Sequence, residues 1–200
     1  MKELIQRKNF EKREFRISDS KIYYNHSKFG NSSEVDIPFE NVDGGKTSHQ
    51  ISHNILLLIA LAIYAIAGAV YYAYSSGANG EKYAWLFWGI IATLVLLSYF
   101  ITKQKFWKIR LSNNNHLFIY KNIPDLEITN TFIEEIIKSR NNYLIEQYAF
   151  VDENIDYDKQ LTNLRWLRSI EVIDKKQFDQ KYAELKKTVK PDKQNIGFGK

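Results

Sequence analysis

Two stretches of this chain carry no charged residue, Ile55–Tyr74 and Tyr83–Ile101. Each matches the roughly 20 residues that an α-helix needs to cross the hydrocarbon core of a bilayer, at about 1.5 Å per residue. Helices buried in soluble cores are usually shorter and keep a polar stripe toward water. The two runs are therefore predicted as transmembrane helices over 55–74 and 83–101. The loop "SSGANGEK" joins them into a hairpin within 54–101. The first run begins more than fifty residues from Met1, too far for the apolar region of a cleaved signal peptide.

The flanks set an expected orientation. Lys103, Lys105, Lys108 and Arg110 follow the second run, whereas the loop holds one Lys and one Glu. Basic residues close to a membrane favour its cytoplasmic side, so both termini are expected there. Aromatics mark the interfaces: Tyr71, Tyr72, Tyr74, Tyr83 and Trp85 at one, Tyr99, Phe100, Phe106 and Trp107 at the other. Lys103, Lys105, Trp107 and Lys108 are candidate contacts to an anionic lipid surface, and the net charge of +5 suits that partner. This mild excess does not by itself point to nucleic acid, which calls for a clustered basic face, and no nucleic-acid partner is expected. There is no cysteine, which removes disulfides and thiol chemistry.

Within the spans no ionisable residue stands ready for a proton relay or a substrate path, which argues against a transporter. Small residues recur at a spacing of four, as Ala65, Ala69 and Ala73 in the first run and Gly89 and Thr93 in the second. Such faces let helix backbones approach closely. They are candidate packing positions, within the hairpin or between copies of a homo-oligomer.

The polar segments 1–50 and 102–150 read as short antiparallel strands. Phe15 and Ile17 alternate with charged residues, "KIYYNH" follows the turn "SDS", and "EVDIPFENV" follows "KFGNSS". Pro38 implies a sheet edge or a strand end, since it donates no hydrogen bond. Further on, "KFWKIRLS" and "HLFIYKNI" flank "NNN", a hairpin loop that tolerates positive φ. Phe132, Ile133, Ile136, Ile137, Tyr143 and Leu144 then form a helical stripe, with Asn130 or Thr131 available as N-cap. A three-stranded meander is a poor domain alone. The two segments are expected to close together into one small β domain under that helix, giving a membrane α+β fold.

In "DSKIYYNH", "IPFENV", "WKIRLSNNNHLFIY" and the helix starting near Thr131, this order resembles the bacterial pleckstrin-homology-like (PH-like) domains of membrane proteins. In those proteins a membrane hairpin can interrupt or adjoin a small β-barrel. The resemblance spans residues 12–148 and rests on apolar positions and turns. It implies an integral scaffold or regulator of the bacterial inner membrane, engaging lipid and an unknown protein partner. Within residues 151–188, "LTNLRWLRSIEVIDKKQFDQKYAELKK" reads as a helical pair, with Asp174 and Gln177 as a capping-box pair. It resembles the SHOCT module, although Glu171 stands where that family has glycine. That resemblance implies an interaction or oligomerisation element carried by Leu164, Leu167, Phe178, Tyr182 and Leu185. The tail 189–200 holds too little apolar surface to fold alone.

Chemistry is scarce along the chain. His49 and His53 are four apart before the first span, but two ligands are too few for a zinc site. Asp152, Asn154 and Asp156 alternate like the start of a calcium loop, yet Tyr157 and Asn163 occupy the positions that need Gly and Glu. Arg110 and His116, with five residues between them, resemble the Arg–x(4–6)–His signature of HEPN ribonucleases, though on strand–turn–strand rather than helix. No phosphate loop or nucleophile elbow is present. No catalytic, cofactor-binding or metal-ligating residue is assigned, and the chain is read as a scaffold rather than an enzyme. Two other readings are a pore-forming effector gated by its cytoplasmic domain, as in phage defence, and a membrane-tethered ribonuclease using Arg110 and His116.

Overall fold

The computed structural model describes residues 2–77, 81–112 and 114–189. The chain forms two compact units, one built from residues up to Thr47 and from Trp107 onward, the other spanning Ser48–Phe106.

The first unit opens with a four-stranded antiparallel meander, β1 (Glu3–Lys8), β2 (Glu11–Ile17), β3 (Lys21–Lys28) and β4 (Asn31–Pro38), in that order across the sheet. The register aligns Ile17, Ile22 and Ile37 in one cross-strand row and Leu4, Phe15 and Tyr24 in another. Alternation puts these rows on one face, so the sheet needs a cover over that face alone. Pro38 ends the edge strand, where a missing N–H is tolerated. There Phe39–Asn41 makes a 3-10 turn and drives the fully buried Phe39 ring inward. The expected strand "EVDIPFENV" is thus two strands broken by that turn.

A three-stranded sheet follows, ordered β5 (Val42–Ile51), β6 (Gln104–Leu111) and β7 (His116–Tyr120). Asn114 takes the positive φ expected of the "NNN" loop, at 62°, and Asn113 lies outside the described residues. Ile109, Leu111, Leu117 and Ile119 join Phe15, Ile22, Phe39 and the helix residues Phe132, Ile133 and Ile136 in one core. Full burial of each such side chain contributes about 1.5–3 kcal/mol.

The helix that closes this core starts earlier than the sequence suggests. Asp125, not Asn130 or Thr131, is its N-cap, accepting a hydrogen bond from the Ile128 amide at 2.7 Å. The first turn presents Leu126 and Ile128 to the exterior, so the apolar stripe begins one turn after the helix does.

In chain order the helices are α1 (Asn54–Ser75), α2 (Ala84–Thr102), α3 (Leu126–Tyr148), α4 (Tyr157–Ser169) and α5 (Lys175–Thr188). Asp156 caps α4, and the Asp174–Gln177 capping box opens α5. Leu144 and Ala149 pack with Leu161, Leu164, Leu167, Ile173 and Leu185 in a second core. The helical pair is therefore built onto the last turns of α3. Val189, expected to begin the polar tail, is buried in the same core; the rest of that tail lies outside the described residues.

In the second unit α1 and α2 run antiparallel: Tyr71 meets Trp85 edge-on at 5.4 Å, and the Tyr64 hydroxyl meets Thr93 Oγ1 at 2.8 Å. Both helices are long and apolar enough to cross a membrane, with mean hydropathies of 2.3 and 2.1. Residues 78–80 of their connection lie outside the described residues.

Candidate membrane and interaction sites

On α1, Ala60 and Ala67 are buried and Ile63 and Val70 half-buried, and on α2 Ala92 is buried. At 100° per residue these positions form one stripe, and it is not the predicted one. Ala65, Ala69 and Ala73 turn away from α2 and are exposed, so they do not pack the hairpin. The stripe that packs the hairpin follows a 3–4–3 spacing rather than a spacing of four, and the Ala65–Ala69–Ala73 face is left for the other expected role, contact between copies. Gly89 is half-buried, and Thr93 joins the contact through Tyr64 while also donating to the Gly89 carbonyl at 2.8 Å.

Of the candidate lipid contacts, Lys103 and Lys105 belong to the second unit. Lys103 Nζ lies 5.9 Å from the Tyr99 ring, and Lys105 is exposed at the start of β6. Trp107 and Lys108 belong to the first unit. As consecutive strand residues they project to opposite faces of β6 and do not form one surface. The Trp107 indole packs against the first core, with Lys121 Nζ 4.0 Å and Lys46 Nζ 5.0 Å from its ring. Its Nε1 is buried without a hydrogen-bond partner. This ring serves the domain interior.

The five residues expected to bind a protein partner lie in the second core or pack against it. Leu164, Leu167 and Leu185 are at most 1 % exposed. Phe178 and Tyr182 stack on each other at 5.9 Å against that core, covered by Arg168 and Lys186. Two helices this short have no other way to shield their stripes from water. Glu171, in the turn between them, has φ 59°. Elsewhere on α3, Tyr143 and Tyr148 both donate to Glu40 Oε1, at 3.0 and 3.2 Å, locking the 3-10 turn to the helix. The hydrogen bond to Glu40 raises the Tyr143 pKa; burial, then the Glu40 charge, raise that of Tyr148.

A polar cluster not singled out in the sequence joins the two sheets. Glu11 Oε1 accepts from Arg13 Nε at 2.6 Å and contacts His26 Nε2 at 2.8 Å, while Oε2 accepts from the Tyr120 hydroxyl at 2.9 Å. Arg13 also donates to the Phe118 carbonyl at 2.8 Å. Buried Gln6 exchanges two hydrogen bonds with the Tyr120 backbone, at 2.8 and 2.9 Å. Burial works against the Glu11 carboxylate, but the hydrogen bonds from Arg13, Tyr120 and His26 and the Arg13 charge outweigh it and hold its pKa below the usual range. The Tyr120 pKa rises, first through burial and then through its bond to Glu11. The bonds from Gln6, Glu11 and Arg13 to Phe118 and Tyr120 join residues more than a hundred apart, so no local signal announces them.

The remaining candidates scatter. His49 is on β5 and His53 precedes α1, so they share no helical face. Asp156 caps α4, Asp152 accepts from Asn154, and Gln160 bonds the Asp152 backbone, which accounts for the calcium-like spacing as loop structure. Among the described residues no group of three or more His, Asp and Glu side chains is placed to hold a metal. Arg110 is largely exposed on β6, with Nε 3.8 Å from Asp43 Oδ2, and His116 opens β7. No protein-family model, curated protein or solved structure matches this chain.

Proposed function

We propose that the chain is an integral membrane scaffold or regulator, anchored by the α1–α2 hairpin and carrying a cytoplasmic PH-like domain. The observation that carries this reading is the exposure of the two apolar helices. Only 11 % and 6 % of their most apolar windows are buried, whereas a core helix of a soluble protein would be mostly covered. Ile55, Leu58, Phe87, Ile90 and Leu94 stand among the exposed side chains, a surface that water does not tolerate. The polar groups inside the spans are used within the hairpin, by Tyr64 with Thr93 and by Ser98 with the Leu94 carbonyl. This favours an anchor over a water-filled pore.

The order of four strands, three strands and a closing helix supports the PH-like reading, and the left-handed Glu171, standing where a SHOCT module has glycine, supports that one. The basic flank Lys103, Lys105, Lys108 and Arg110 supports a reading with both termini on the cytoplasmic side of a bacterial inner membrane. The exposed Ala65–Ala69–Ala73 face suits self-association between copies.

Because the chain has no cysteine, single cysteines report topology cleanly. In intact cells Ser76→Cys should react with an impermeant maleimide and Asp19→Cys only after lysis, with the protein staying in the membrane pellet at alkaline pH. Release into the alkaline supernatant would overturn the anchor.

A further inference from the structure

Among the described residues, the two most exposed phenylalanines of the first unit sit together. Phe10, in the β1–β2 turn, is 75 % exposed, and Phe29, in the β3–β4 turn, is 72 % exposed. Their rings stack at 5.3 Å and 27°, and the Phe29 amide donates to the Phe10 carbonyl at 3.3 Å. Neighbouring hairpin tips thus form one aromatic prow. Phe29 has φ 50° and Gly30 φ 86°, the two-residue turn in which Asn-Gly is favoured. A phenylalanine in the left-handed region costs stability, and at this exposure it regains little by burial. Backbone strain without a packing return is the pattern of a surface kept for contact.

Cations ring the prow. Arg7, Lys8, Lys12 and Lys28 lie within three residues of the two rings along the chain, and the register places Lys8, Glu11 and Lys28 side by side. The carboxylate among them, Glu11, is held inward by Arg13, His26 and Tyr120. Lys28 Nζ lies 6.0 Å from the Phe29 ring, and Lys12 pairs with Glu14 at the surface, a contact of little strength. Lys8 reaches the Tyr120 ring at 5.8 Å, and the next residue, Lys121, lies 4.0 Å from the Trp107 ring.

We infer that the Phe10–Phe29 prow docks into the interface of an anionic bilayer, the rings entering the acyl boundary while Arg7, Lys8, Lys12 and Lys28 meet lipid phosphates. Rings of this size insert at the interface, and each nearby cation adds attraction to an anionic surface. The inference deepens the membrane reading above and moves the lipid contact from β6 to the hairpin tips.

The test uses the full chain in vesicles of phosphatidylcholine with phosphatidylglycerol. An environment-sensitive dye is carried on Asn31→Cys at the prow or on Asp19→Cys at the far end of the sheet. The expected result is a blue-shifted emission, quenched by spin-labelled lipid, at residue 31 and not at residue 19, lost with Phe10→Ser plus Phe29→Asn. Asparagine tolerates the left-handed turn, so the double variant should melt no lower than the parent, which separates lost docking from lost folding. Equal emission at both sites, or a shift that survives the double variant, would sink the proposal. So would a shift that fades as lipid is added at fixed protein, since that identifies a second copy as the occupant. Alkaline extraction of the same samples reports on the spans separately; were the protein released, the same dyes read with added vesicles would still decide the docking.

Discussion

The molecule contains two helical hairpins of opposite dress. In α1–α2 the residues buried at the contact are small, Ala60, Ala67 and Ala92, while Leu58, Leu94 and Phe100 point outward. In α4–α5 the order is reversed, with Leu164, Leu167 and Leu185 buried and Lys181, Lys186 and Lys187 outside. The topology is alike, and the surroundings proposed for the two hairpins differ. In water the apolar side chains must meet each other, so they fill the seam. In lipid the surroundings are as apolar as leucine, and the seam is left to small residues that let backbones approach.

The contrast can be broken most forcefully at single leucines. Leu167→Ala should cost about 2–5 kcal/mol, by deleting fully buried atoms and leaving a cavity, and a denaturant titration of the detergent-solubilised protein would measure it. The same deletion at exposed Leu94 should cost only about 0.6 kcal/mol, since little packs on that side chain. Leu94→Arg closes the gap: a cation at mid-span should cost about 2.5–3.5 kcal/mol and reduce the membrane-pelleted fraction. Equal losses for Leu167→Ala and Leu94→Ala would show that both hairpins are packed alike.

A smaller effect is expected at the α4–α5 turn. Glu171 is exposed and left-handed, so Glu171→Gly should stabilise the pair by about 0.5–1 kcal/mol, seen as a rise of about 2–4 °C in its melting temperature. A fall would mean that the Glu171 side chain contributes more than its backbone costs. The gentlest probe is pH. The Glu11 carboxyl has a depressed pKa in the folded unit, so its contribution is present at neutral pH and lost as pH falls through about 4 and below. Glu11→Gln should flatten that acid-side loss, read as melting temperature against pH. The α1–α2 hairpin, with no ionisable carboxylate, amine or imidazole between Ile55 and Tyr74 or between Tyr83 and Ile101, should keep its helicity across the same range.

Much of this architecture is legible in local patterns. Charge-free length marks α1 and α2, alternation marks β2 and β3, and the Asp174–Gln177 pair marks the start of α5. Legibility fails where a local signal is weak or points both ways. The strand β5, "VDGGKTSHQI", carries two glycines and little alternation, and holds its place by pairing with β6. The sequence at β1 is short and mixed, yet Leu4 and Gln6 are buried because the second sheet and α3 lie over them. The alanines of α1 offer two small-residue faces, and only the partner helix chooses between them.

The amino-acid sequence by itself determined which segments are too apolar for water, where helices are capped, and which strands alternate, because these depend on neighbours a few residues away. Tertiary structure alone decided that Leu164, Leu167 and Leu185 face inward, that Trp107 serves the core, and that Glu11 meets Tyr120 across the sheets. It also brought Phe10 and Phe29 together at one tip. Each of those outcomes depends on partners distant in the chain, and hydrophobic burial and hydrogen bonding reward such contacts only once the sheets have closed.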